Sequence, residues 1–133
     1  MTLYADELFT VIFSEDAKIP GYLVIRPKRK IESFSELTSA EQAKFTELVS
    51  RCDKVLRQII KPERIYTLAF CELDSHLHFH IFPRTKELGD LYKKAHNSDG
   101  INGPILFDWA RREFASKPFG DYQALTDRIK AGF

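Results

Sequence analysis

The chain has 133 residues, 44% hydrophobic and 29% charged, with a formal net charge of +1. This is one core's worth of ordinary globular composition, which excludes a disordered chain. The near-neutral charge excludes a field that would draw the protein onto nucleic acid or an acidic membrane, and two cysteines, Cys52 and Cys71, make no disulfide framework. No apolar run is long enough to span a bilayer, and the N-terminus lacks the basic-then-apolar layout of a secretory signal. A single domain over residues 1–133 in a cytoplasmic setting is therefore expected, with a core over 8–84 and an extension over 85–133.

Residues 8–13 are rich in β-branched and aromatic side chains and read as a strand. Ser14, Glu15 and Asp16 lead toward a turn at Pro20-Gly21. Residues 22–25 form a second strand, closed by Pro27 and the basic run Lys28-Arg29-Lys30, and the two strands suit a hairpin. Thr38 stands three residues before Glu41, a capping-box spacing. Phe45, Leu48, Val49, Cys52, Val55, Leu56 and Ile59 then recur every three or four positions, so a helix is predicted that ends near Ile60, before Pro62. Residues 65–70 and 76–82 are again strand-like. The order strand, strand, helix, strand, strand predicts an α+β fold, an antiparallel sheet with one long helix packed on one face. Beyond Pro83 the pattern weakens: a polar loop is predicted over 89–103, then short C-terminal helices over 107–115 and 121–129. Trp109, beside Phe107 and Phe114, reads as core or subunit contact more readily than as a ligand wall.

Three of the four histidines, His76, His78 and His80, alternate with Leu77, Phe79 and Ile81. On a strand the imidazoles share one face and the apolar side chains enter the core. The apolar set needs no functional explanation, whereas three imidazoles of ordinary pKa about 6.5 make a poor core and an odd solvent face. Three readings stand side by side. The face is merely polar; or the imidazoles bind a metal, which calls for a further ligand such as Glu72, Asp74 or His96; or they act on phosphorus. In the last, a neutral imidazole attacks as nucleophile while its neighbours orient it and donate hydrogen bonds to phosphate oxygens. Nucleophilic catalysis is preferred, with no metal and no cofactor.

The run His76-Leu77-His78-Phe79-His80-Ile81-Phe82-Pro83-Arg84 resembles the signature of the histidine-triad (HIT) superfamily, and the likeness extends from about Leu8 through Pro20-Gly21-Tyr22-Leu23-Val24-Ile25 to Arg84. The resemblance implies a nucleotide hydrolase or nucleotidyl transferase acting at an α-phosphorus through a nucleotidyl-histidine, and a homodimer with a continuous sheet. It assigns His78 as nucleophile, His80 as phosphate contact and His76 as a positioning residue. It further offers Glu15 or Asp16 for the ribose, with a solvated turn as the alternative, and Ser75 for the phosphate, with a loop turn as the alternative. Ile12, Phe13 and Tyr22 are offered for the base, with core packing as the alternative. The alternative in another class is a nucleotide-binding protein whose triad turns over poorly. Two departures bear on this. Tyr22 stands where many members have a fourth histidine, and the short Cys71-Glu72-Leu73-Asp74-Ser75 replaces a Gly-rich loop. Glu72 and Asp74 would repel polyanions, which favours substrates of low charge such as phosphoramidates. Arg26, Lys28, Arg29 and Lys30 read as a solvated strand end more readily than as a phosphate contact.

Overall fold

In the computed structural model, which describes residues 1–133, five strands form one antiparallel sheet in the order β1-β2-β3-β5-β4. β1 (Thr2–Ala5), β2 (Phe9–Phe13) and β3 (Leu23–Pro27) precede the long helix α1 (Ser39–Ile59). β4 (Arg64–Leu68) and β5 (Phe79–Arg84) follow it, and α2 (Lys86–His96), α3 (Gly103–Glu113) and α4 (Tyr122–Gly132) complete the chain. The fold is α+β.

Period-two burial on β2 sends Phe9, Val11 and Phe13 to one face of the sheet. There they meet Leu23, Ile25 and Ile81 from β3 and β5, and the α1 stripe Leu48, Cys52, Val55 and Leu56. Thr38 caps α1 by accepting from the Glu41 N–H, while the Glu41 carboxylate accepts from the Thr38 N–H. Arg29 closes on the same carboxylate at 2.8 Å, although Glu41 is otherwise buried. Leu56 is wholly buried at the centre of this layer, so Leu56→Ala is expected to cost about 2–5 kcal/mol.

The Pro20-Gly21 turn also depends on Leu56. Gly21 has φ +78°, and a Cβ there would fall 2.6 Å from Leu56 Cδ2. With Pro20 before it and the Tyr22 N–H donating to the Ile19 carbonyl at 3.1 Å, the geometry is that of a type II turn. It delivers Tyr22 beneath the sheet at the start of β3.

The other face is not left to solvent. Val24, Tyr22 and Phe82 pack under Leu88 and Tyr92 of α2 and Leu106, Phe107 and Ala110 of α3. β3 is accordingly buried on both faces, and its near-continuous apolar run reflects that.

Three local expectations change. β1 is an additional strand, short and half-exposed, held by pairing with β2 through a bulge. The predicted loop from residue 89 is in part α2, capped by Thr85 accepting from the Leu88 N–H, with Leu88 and Tyr92 buried. Gly89 suits the helix because a Cβ would meet Ile101 Cδ1 at 3.0 Å. Finally, β5 starts at Phe79, so His76 and His78 belong to the segment leading into it.

Candidate active site

Strand register sets the floor of the site. Ile12 pairs with Val24 and Val24 with His80, so three side chains from β2, β3 and β5 stand in one row beneath α3. The segment between β4 and β5 forms one wall. α3 forms the other, presenting Pro104, Phe107, Asp108 and Arg111, which share one helix face. The open cleft between the two walls measures about 630 Å³, in the range of sites for ligands of nucleotide size.

His78 lines this cavity, and its Nδ1 lies 2.6 Å from the His76 carbonyl oxygen. A carbonyl only accepts, so Nδ1 carries the proton and Nε2 keeps its lone pair. Cys71 flanks the same ring, its Sγ 3.8 Å from Nδ1, and points its thiol at the His78 carbonyl.

His80 is buried, with its Nδ1 2.7 Å from the Tyr22 hydroxyl. Burial, helped by the positive charge of Arg111 and by His78, pushes its pKa down to about 4. Burial raises the Tyr22 phenol further above its ordinary range. At neutral pH the phenol therefore donates to a neutral imidazole, leaving the His80 Nε2–H as a donor. Phe107 packs edge-on against the ring at 5.7 Å.

His76 lies outside the cavity wall. Its Nε2 sits 3.1 and 3.0 Å from the carbonyls of Pro27 and Arg29, and its Nδ1 accepts from Arg26 Nη1 at 3.1 Å. Both nitrogens are engaged in bracing the approach to β5 against β3. The three imidazoles therefore do not share one face, because the strand that would align them begins only at Phe79. Nor does any group of three or more His, Cys, Asp or Glu side chains stand where it could hold a metal ion.

Two guanidinium groups enter the cavity. Arg26 pairs with Asp74 at 2.8 Å, and this contact holds the Asp74 carboxyl below its ordinary range. Arg111 pairs with Asp16 at 2.8 Å. Of the two loop carboxylates expected to repel polyanions, Asp74 is thus neutralised, while Glu72 has no ion-pair partner.

Ile12, Glu15, Asp16, His78 and His80 come together on the cavity. The remaining residues assigned to the ligand do not reach it. Tyr22 is buried behind His80, since its ring joins the core beneath α2 and α3. Phe13 points to the α1 face by strand alternation. Ser75 is exposed outside the wall. Sequence reasoning ranked Arg26 as a strand end ahead of a phosphate contact and missed Arg111; both line the cavity. For Arg111 a signal exists in the i, i+3, i+4, i+7 spacing of Pro104, Phe107, Asp108 and Arg111, which marks one helical stripe. Within the aromatic cluster, Phe107 reaches the cavity while Trp109 and Phe114 pack with α2 and the loop after α3.

The HIT-domain family model matches residues 1–87. The AP-4-A phosphorylase of Mycobacterium tuberculosis is 28% identical over 71 residues, covering 49% of this chain and 36% of that protein. The chain thus matches about a third of the length of its curated relatives. Among solved structures, a histidine triad protein from Bradyrhizobium japonicum superposes over 99% of this chain and 89% of its own, with TM-score 0.69 and 20% identity. A histidine triad (HIT) protein from Sinorhizobium meliloti 1021 matches over 100% and 89%, with TM-score 0.66 and 20% identity. Both establish a shared fold that includes the C-terminal helices.

Proposed function

The chain belongs to the HIT-domain family, and from that premise we propose that it is a nucleotide hydrolase or nucleotidyl transferase in which His78 attacks an α-phosphorus. The observation that carries the reading is the contact from His78 Nδ1 to the His76 carbonyl, at 2.6 Å. It orients the ring and leaves Nε2 unprotonated. As Nε2 bonds to phosphorus, the bond to the leaving group breaks and the leaving group takes a proton from solvent. The ring becomes a cationic nucleotidyl-histidine, and the carbonyl accepting from Nδ1–H stabilises that charge. Water, or another acceptor, then attacks phosphorus and gives its proton to solvent. The P–N bond breaks and the neutral imidazole returns.

His80 supplies a hydrogen bond to a phosphate oxygen through Nε2–H, with Tyr22 holding the tautomer. Ile12 and Val24 offer an apolar floor for the base, and Asp16 a carboxylate within reach of a sugar hydroxyl. Glu72 stands on the wall with no ion-pair partner, unlike Asp108, which pairs with Arg112 at 2.8 Å. Its uncompensated charge supports substrates with few anionic groups, such as nucleoside phosphoramidates, over dinucleoside polyphosphates. The strand edges of β1 and β4 are open, which supports association into a homodimer.

The deciding experiment is a rapid quench with adenosine 5′-phosphoramidate, followed by peptide mapping for an acid-labile nucleotidyl group. An adduct on His78 that forms and decays at the rate of turnover is expected. An adduct elsewhere, or turnover with none, would overturn the assignment.

A further inference from the structure

Arg111 is the cavity's second guanidinium, and it comes from the C-terminal helices, beyond the matched family region of residues 1–87. Three features distinguish it from a surface arginine with a surface partner. Its guanidinium carbon stands over the Phe107 ring at 5.1 Å, which fixes the plane of the group beside His80. Its Nη2 donates to Asp16 at 2.8 Å across 95 residues of chain. Its Nε is buried with no hydrogen-bond partner, and its Nη1 makes no bond to the protein. An arginine carries five N–H donors in a rigid fork suited to two oxygens of one anion. Nη1 and the second N–H of Nη2 are unused and can still take two oxygens, whereas the buried Nε is closed to a ligand.

Charge in the cavity points the same way. Arg26 uses Nη1 for both Asp74 and His76. His80 is kept neutral by burial and by Arg111 itself, so it offers a dipole and no charge. The walls meanwhile carry Glu72 with no ion-pair partner, while Glu15 lies 4.0 Å from the N-terminal ammonium and Asp108 pairs with Arg112 at 2.8 Å. Arg26 keeps Nε and Nη2 free but is braced on the opposite wall by Asp74 and His76. The permanent cation on the His80 side is Arg111, held over the Phe107 ring that itself packs on His80.

We propose that Arg111 is the anion-binding residue of this site, gripping the phosphate of the nucleotide beside His80, with Phe107 and Asp16 holding its guanidinium in place. The inference rests on the nucleotide reading above and adds a specificity residue supplied by α3. Asp16 is then a positioning residue for Arg111 as well as a candidate for the sugar.

The test compares AMP with adenosine, which differ only in the phosphate. Dissociation constants for both are measured by calorimetry on wild type, Arg111→Gln and Arg111→Lys, with thermal melts confirming folding. Wild type is expected to favour AMP. Arg111→Gln should lose AMP affinity by about tenfold or more, the size of a charge-assisted hydrogen bond, with adenosine changed by less than about twofold. Arg111→Lys keeps the charge without the fork and should fall between. Should AMP and adenosine weaken equally, Arg111 merely holds α3 in place and the inference is overturned. AMP affinity indifferent to both substitutions overturns it too, and leaves the nucleotide reading standing. If wild type binds neither ligand, both fail together.

Discussion

The Tyr22 hydroxyl lies 2.7 Å from His80 Nδ1, joining the Pro-Gly turn to the triad across 58 residues of chain. Tyr22 sits where many relatives have a fourth histidine. Here a phenol that burial keeps protonated sets the tautomer of the imidazole in front of it. Tyr22→Phe leaves a buried ring nitrogen without its donor and frees the ring to change tautomer. The expected loss is about 1–3 kcal/mol of stability, with turnover lower by on the order of tenfold and nucleotide affinity little changed. Thermal melts and single-turnover rates check this. A wild-type rate in a folded variant would remove Tyr22 from the site.

His78→Asn preserves shape and a hydrogen-bonding group while removing the nucleophile. Turnover should fall at least about a thousandfold, with AMP affinity retained, since the cavity walls are unchanged. Wild-type rates in this variant would mean that another group attacks phosphorus.

Glu41 predicts an acid-sensitive helix start. Its pKa falls from an ordinary 4.5 to about 2, chiefly because Arg29 bonds the carboxylate and then because the Thr38 N–H does. A depressed carboxyl stabilises the fold above its unfolded pKa and loses that contribution as pH drops toward its folded one. Glu41→Gln should be less stable than wild type at pH 7 by about 1–3 kcal/mol. The gap should close as pH falls from about 5 to about 2. His80 acts in an earlier window: the unfolded chain takes up a proton near 6.5 that the folded ring refuses until about 4, so both proteins lose stability over that range. Urea titrations across pH measure the gap, and a gap independent of pH would refute the Arg29–Glu41 account.

Glu72 and Asp74 are adjacent in charge pattern yet unlike in the structure, since Arg26 neutralises only Asp74. Glu72→Gln alone should therefore relax a preference for substrates of low charge. The kcat/KM ratio of a phosphoramidate to a dinucleoside polyphosphate should shift roughly two- to fivefold, the scale of an exposed charge interaction. Asp74→Asn instead frees Arg26 and disturbs His76, so it should lower the rate for both substrates. An unchanged ratio in Glu72→Gln would show that this wall does not select the leaving group.

A homodimer is the expected solution state. Light scattering at roughly tens of micromolar should give twice the chain mass. Only monomer at that concentration would remove the dimer from the account.

The sequence by itself determined whatever depends on neighbours along the chain. Alternation placed Leu77 and Ile81 in the core, the Thr38–Glu41 spacing started α1, Pro20-Gly21 marked the turn, and the run from His76 to Arg84 carried the family. Each is a local signal of period two, period 3.6 or fixed turn chemistry. β1 left no such signal, because four half-exposed residues become a strand only by pairing with β2. α2 was hidden by a glycine that suits its helix only through contact with Ile101. The triad was legible as residues but not as geometry. Arg26, 50 residues away, engages His76, and β5 pairing starts only at Phe79. Tertiary structure alone decided which nitrogens carry protons and which cations face the cavity. Proton positions follow from partners distant in sequence, the His80–Tyr22 contact above all. Arg111 reaches Asp16 only because the second face of the sheet is apolar enough to draw α3 across it.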